Sequence, residues 1–368
     1  MTVPFVDLRA QYQAIKPDID GAIRDVVENT SFIGGAAVRQ FEEAFAHMLG
    51  VKHCVGVGNG TDAIYISLKI LGIGAGDEVI TTALSWISTS ETITQAGAVP
   101  VFVDINPDNF TIDVAKIKSK ISSRTKAIIP VHLYGHAAEI RAIKDLCLEY
   151  GLYLIEDCAQ SHLSEDVGQF VGTFGDMATF SFYPGKNLGA YGDAGAIITN
   201  DDQLASKARM YANHGALKKH EHLVEGINSR LDTLQASILL AKLPHLKEWT
   251  VRRIKNAALY NELLSNVPGI ILPKTRERSI HTFHLYVIRC QNRDVLQRKL
   301  LDCGIQTAIH YPRALPNLPA YRYLGHKPTD FAVASNYQNE ILSLPMYPEL
   351  SEEQIGYVCR CIKGLVQA

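Results

Sequence analysis

The chain has 368 residues, 47% hydrophobic and 20% charged, a globular composition long enough for two domains or for one large and one small. Lys and Arg number 36 against 38 Asp and Glu, and the formal net charge of −2 gives no basic footprint for nucleic acid. The seven cysteines have no zinc-like spacing, so reduced thiols and no metal site are expected. The start, Met1-Thr2-Val3-Pro4, lacks a charged-then-apolar leader, and no apolar run nears the ~20 residues of a membrane span, so a soluble, cytoplasmic protein is expected.

In chain order, Ile15, Ile19, Ile23 and Val26 recur at helical spacing and predict a helix over 9–29. A glycine turn, Phe32-Ile33-Gly34-Gly35, leads to a second amphipathic helix over 38–49. A strand over 54–57 runs into Gly58-Asn59-Gly60-Thr61-Asp62-Ala63, which opens a helix to about residue 71. Strand, glycine turn and helix start together offer free N–H groups and a positive dipole end to a phosphate. A plain N-cap by Asn59 or Thr61 fits the same residues. A strand over 78–81 precedes Trp86, whose place suits either the core or stacking on a flat ring. Helices over 88–97 and 138–150 alternate with strands over 99–104, 127–131 and 152–156. That alternation predicts a parallel sheet covered by helices.

Asp157 follows the last of these strands, at the end where open α/β sheets bind ligands. A buried carboxylate there needs a cationic partner. A further strand over 177–182 breaks at Tyr183-Pro184-Gly185-Lys186-Asn187-Leu188-Gly189, which places Lys186 in a glycine-rich loop beside aromatic residues. Desolvation there lowers a lysine pKa from about 10.4 toward neutrality, and a neutral amine is the nucleophile that forms a Schiff base. Lysine plus a carboxylate facing a pyridinium nitrogen is the signature of pyridoxal phosphate.

Further on, a strand over 194–199 and a helix over 201–213 lead to a polar loop with His220 and His222, which lack a third ligand for a metal. A helix over 231–242 is interrupted by Pro244 and continues to 264, and the boundary between a large domain (1–245) and a small one (246–368) is expected here. Beyond it, strands over 284–289 and 306–312 flank a helix over 293–303, and a last helix is expected over 352–366.

Glu156-Asp157-Cys158-Ala159-Gln160, followed by Phe180 to Gly195, resembles the DegT/DnrJ/EryC1/StrS sugar aminotransferases. The likeness runs from Phe5-Val6-Asp7-Leu8 to Ser343-Leu344-Pro345-Met346, and Cys158 and His162 depart from the smaller residues of many relatives. The resemblance implies the aspartate aminotransferase (type I) fold: a large domain with a mostly parallel seven-stranded sheet and a small C-terminal α/β domain. It implies pyridoxal 5'-phosphate, cycling through pyridoxamine 5'-phosphate, with Lys186 and Asp157 as catalytic residues. The cofactor phosphate would meet Gly60, Thr61, Asp62 and Ser181, the ring Trp86, and the phenolic oxygen Gln160. Asn228 would reach the phosphate across a homodimer, giving shared active sites. Substrate would meet Phe32, His162, Tyr183, His214, Arg230, His310 and Tyr311, although packing also accounts for His162, His310 and Tyr311. The implied partners are L-glutamate and a ketosugar on UDP or dTDP. The run from Tyr183 to Asp193 is more similar to relatives that aminate C3 than C4. Dehydratases of the family carry histidine at the Schiff-base lysine, and a non-enzymatic regulator would need a docking module that the sequence does not display.

Overall fold

The structure is a computed structural model that describes residues 1–367. Its strands are β1 (His53–Val57), β2 (Glu78–Thr82), β3 (Val99–Val103), β4 (Thr125–Ile129), β5 (Tyr153–Asp157), the short β6 (Glu165–Asp166) and β7 (Gln169–Phe170), β8 (Met177–Ser181) and β9 (Gly195–Thr199). Then follow β10 (Ile270–Ile271), β11 (Ser279–Ile280), β12 (Tyr286–Cys290) and β13 (Ile341–Leu344). The central sheet has seven strands in the order β1-β9-β8-β5-β4-β2-β3. Only β9 runs against the rest, pairing antiparallel with both β1 and β8.

Every residue of β2 and of β9 is buried, as expected of strands covered on both faces. Neighbouring residues serve opposite faces. Val79, Ala127 and Ile155 pack with Ile64 and Leu68 of α4 (Gly60–Ile70) and Ile93 of α5 (Ser88–Gln95). Ile80, Ile128 and Leu154 pack with Ile140 and Ile143 of α7 (Ile140–Tyr150). Phe180 and Phe182 lie edge-on to Phe45 of α3 (Ala36–Leu49) at 5.1 and 5.4 Å. Burial of such aromatic area is the main force seating the Lys186 segment.

The C-terminal unit is a three-stranded antiparallel sheet, β10-β12-β13, packed with α10 (Leu246–Leu264), α11 (Arg293–Asp302) and α13 (Glu352–Gln367). The chain start joins it, since Val3 bridges Ile305 and is fully buried in that core.

Two expected elements differ. The helix over 9–29 is two, α1 (Leu8–Ala14) and α2 (Lys16–Glu28), hinged at Ile15. Pro17 sits in the first turn of α2, where its missing N–H and fixed φ are tolerated, as they are not inside a continuous helix. The strand over 306–312 does not form. Ala308 bridges Ser343 while Ile305 bridges Val3, so the segment changes partners, and Pro312 cannot donate to a ladder. The strand paired with β12 is instead β13, all buried.

Candidate active site

The carboxyl ends of β5 and β8, the start of α4 and the residues His284, Leu285, His310 and Tyr311 enclose a cavity of about 740 Å³, within the roughly 300–1,000 Å³ usual for small-molecule sites. Asp157 and Lys186 both line it.

Asp157 closes β5 and is 4% exposed. Thr89 Oγ1 donates to its Oδ2 at 2.8 Å and the Ala159 amide to its Oδ1 at 3.1 Å. Burial pushes its pKa up, and these two donors and the Lys186 charge oppose that rise. The carboxylate is therefore aimed, partly compensated and still in need of a cation. Burial also lowers the Lys186 pKa to about 8, with Asp157 pulling the other way. The Lys186 amide donates to the Tyr183 carbonyl at 2.8 Å, closing a tight turn. A Cβ on Gly189 would stand 2.2 Å from the Pro184 carbonyl oxygen, so this loop closes only around glycine.

Between β1 and α4 the chain makes the glycine turn and helix start that the sequence suggests. Asn59 caps α4, its Oδ1 accepting from the Asp62 amide at 2.8 Å. Gly60 and Thr61 lie in the first turn, where backbone N–H groups have no intrahelical acceptor. A Cβ on Gly60 would lie 2.7 Å from that of Ser181, so only glycine brings the helix start this close to the end of β8. The Asp62 carboxylate is turned back, accepting from Ser229 Oγ at 2.6 Å and Asn59 Nδ2 at 3.1 Å. That keeps its negative charge engaged and leaves the amides and the helix dipole for an anion. Thr61 Oγ1 is 2.7 Å from Ser88 Oγ.

Trp86 is 57% exposed on the cavity wall and tilts against Tyr311 at 5.6 Å. Gln160 Oε1 accepts from the Tyr134 amide at 2.7 Å, and its Nε2 donates to the Tyr311 hydroxyl at 2.9 Å. His310 Nδ1 lies 2.9 Å from Ser343 Oγ. Tyr183 is exposed at the mouth.

The cavity thus collects Gly60, Thr61, Asp62, Trp86, Gln160, Ser181, Tyr183, His310 and Tyr311 around the central pair. Five expected residues lie elsewhere. His162 is 1% exposed, wedged between Phe180 and Phe182 at 5.3 and 5.7 Å, with both ring nitrogens unpartnered. The apolar face of β8 claims it, and burial drops its pKa to about 3. Phe32 is half-exposed, its carbonyl accepting from the Thr233 amide. The His214 amide donates to the Ile227 carbonyl at 2.9 Å, Asn228 bridges Asn213, and Arg230 donates to Asn213 Oδ1 at 3.3 Å. These four stand outside the cavity of the single chain. Wall residues that the sequence reading missed include Phe5, Ser88, Thr89 and His284. Thr89, three residues after Trp86, is the one that helix spacing from a ligand-facing residue could have flagged.

His132, Glu156 and Cys158 gather at metal-like distances. The donors of His132 and Glu156 are already engaged: His132 Nε2 is 3.0 Å from Glu156 Oε2, His132 Nδ1 accepts from Ala138, and Glu156 accepts from the Gly172, Phe174 and Gly175 amides. The cluster braces β5 behind Asp157.

The residues present fit pyridoxal phosphate. A desolvated amine and an only partly compensated carboxylate share one cavity with a helix start and the Ser181 hydroxyl. A fold with this sheet and this pair is that of a pyridoxal phosphate enzyme of the type I architecture. A model of the DegT/DnrJ/EryC1/StrS aminotransferase family matches residues 13–363, and the chain belongs to that family. It is 47% identical to a pleiotropic regulatory protein of Geobacillus stearothermophilus over 97% of each chain. It is 41% identical to the UDP-N-acetyl-3-dehydro-alpha-D-glucosamine 3-aminotransferase of Acidithiobacillus ferrooxidans, over 98% of this chain and 97% of that one. The crystal structure of Streptomyces venezuelae DesV in complex with a ketimine intermediate superimposes with a TM-score of 0.98 at 38% identity, covering 100% of this chain and 99% of that one.

Proposed function

We propose that the protein transfers an amino group from L-glutamate to C3 of a ketosugar carried on UDP or dTDP, as a homodimer with shared sites. The observation that carries the reading is the placement of Lys186 and Asp157 in one cavity. The bound cofactor supplies an electron sink for the carbanion at the donor's α-carbon. Asp157, a buried carboxylate on the cavity wall, would keep a ring nitrogen beside it protonated. Lys186 would hold the cofactor through its amine and, with that amine free, would take the proton from the donor α-carbon. General base work of this kind contributes about 10²–10⁴-fold. Gly60, Thr61 and Ser181 would hold the phosphate, Trp86 would face the ring, and Gln160 would meet the phenolic oxygen. Tyr183, His310 and Tyr311 face the sugar.

The C3 assignment rests on the run from Tyr183 to Asp193 and on the name of the Acidithiobacillus relative. C4 amination of a nucleotide-linked 4-keto-6-deoxy sugar is the alternative. The name of the Geobacillus relative raises a regulatory role; the intact Lys186 and Asp157 pair supports catalysis. The test is release of 2-oxoglutarate from glutamate with a panel of nucleotide-linked 3-keto and 4-keto sugars. Turnover with 3-keto sugars on UDP or dTDP is expected. Turnover confined to 4-keto sugars, or none with any, would overturn the assignment.

A further inference from the structure

Lys242 closes α9 (Thr233–Lys242) and is 0% exposed. A lysine is almost never buried so completely without a carboxylate beside it. Among the described residues this one has no such partner. The opposite charge that acts on it, Glu349, makes no hydrogen bond to it. Burial lowers its pKa to about 8 against that pull. What the ammonium does touch is the loop of Lys186. Its Nζ donates to the Gly189 carbonyl at 2.7 Å and lies over the Tyr191 ring, 4.2 Å from the centroid. A charge-assisted hydrogen bond and a ring face are the strong contacts open to a buried cation.

The bond falls where the loop closes. The peptide between Gly189 and Ala190 is held at both ends: its carbonyl accepts from Lys242, and its N–H donates to the Phe182 carbonyl at 2.8 Å. Lys186 lies on the span that Phe182 and Ala190 close. Two residues beyond Gly189, the Tyr191 amide donates to Gln235 Oε1 at 2.9 Å, so a second side chain of α9 grips the same limb. The outgoing limb is fixed by Phe180 and Phe182 against Phe45, and the return limb by α9. Between them, Gly185 and Gly189 leave the span little stiffness of its own, so its two anchors set where Lys186 stands.

We propose that Lys242 is a positioning residue for Lys186. By holding the Gly189 carbonyl it keeps the return limb of the loop in place, so that the Lys186 amine stands ready for the cofactor aldehyde. An apolar side chain of similar length would fill the space without the cost of a buried charge, so the gain from a lysine lies in the carbonyl it holds. A displacement of about 1 Å at a reacting group can slow a reaction by up to about a hundredfold. The inference rests on the reading of Lys186 as the amine that captures the cofactor.

The test compares two probes on Lys242→Met, which keeps the length and removes the donor. Capture of pyridoxal phosphate by cofactor-free protein, followed by absorbance, reports the Lys186 amine. Binding of deoxypyridoxine phosphate, the same ring and phosphate without the aldehyde, reports the rest of the cavity. Capture is expected to slow about tenfold, with the affinity for deoxypyridoxine phosphate unchanged. Lys242→Arg, which keeps a cationic donor, is expected to recover most of the rate. Unchanged capture in Lys242→Met would overturn the proposal. So would an equal loss with both probes, since that marks general damage to the fold. Should Lys242→Met not fold, hydrogen exchange in the unaltered chain decides. The Ala190 amide is expected to exchange as slowly as those of β8, and exchange as fast as in an exposed turn would overturn the proposal. Neither probe involves a sugar, so failure of the ketosugar panel leaves the outcome standing.

Discussion

Lys186 owes its reactivity to where the chain buries it. With its pKa lowered to about 8 by desolvation, about a tenth of the amine is neutral at pH 7, against well under a thousandth for a free lysine near 10.4. The sign follows directly. Neutral amine is the form that captures the cofactor aldehyde, and its fraction grows as pH rises. Uptake of pyridoxal phosphate by cofactor-free protein, followed by absorbance, is therefore expected to quicken about tenfold per pH unit below 8 and to level off above it. A rate still climbing at pH 10 would show an ordinary lysine. At this scale the sequence was legible where a residue stands in a distinctive local setting. Lys186 in its glycine loop and Asp157 at a strand end were both visible. His162 was not, because the sequence shows a polar residue after a cofactor motif and not the Phe180 and Phe182 rings that enclose it. His284 was missed for the opposite reason: only the fold brings it to the wall.

Helix starts and strand ends do the work at the next scale. The corner at Gly60 needs glycine because the end of β8 approaches so closely, with Ser181 Cβ only 2.7 Å from where a side chain would begin. Gly60→Ala is expected to push the start of α4 away from Ser181 and weaken pyridoxal phosphate binding by about tenfold or more, measured by absorbance titration. An overlap of this kind commonly costs about 1–3 kcal/mol, and 1.4 kcal/mol is a factor of ten in affinity. Gly364→Ala, which meets nothing within 4 Å, is the control and should leave affinity unchanged. Long, strongly patterned elements such as α3, β2 and α10 could be read from the sequence. The hinge at Ile15 and the absent strand over 306–312 could not, because each depends on a proline acting against a local pattern and on a partner far away in the chain. Ile341–Leu344 becomes a strand through its pairing with β12, and four apolar and small residues alone do not announce that.

The molecule as a whole leaves its polar loop, 214–230, outside its own cavity, with Leu217, Leu223 and Val224 exposed on it. Phe32 and Ile33 are exposed as well, at 50% and 58%. Apolar surface of this kind marks interaction sites, and it accompanies Asn228 and Arg230, which the resemblance sends to a partner's site. A dimer by light scattering is expected, with Asn228→Ala loosening the cofactor severalfold while leaving the dimer intact. A fully active monomer would contradict shared sites. Among the described residues no helix is long and apolar enough to cross a membrane. The arrangement of two sheets around one cavity was legible through the family resemblance. The crossing of Val3 into the C-terminal core was not, because a single-residue bridge has no periodicity to read.

The central claim is that one amine holds the cofactor opposite one acid. The most direct measurement is borohydride reduction of the pyridoxal phosphate-loaded protein, followed by digestion and peptide mass mapping. The account predicts a single pyridoxyl-phosphate mass increment on the peptide carrying Lys186, absent from Lys186→Ala. An increment on any other lysine, or none in protein that turns over substrate, would contradict it.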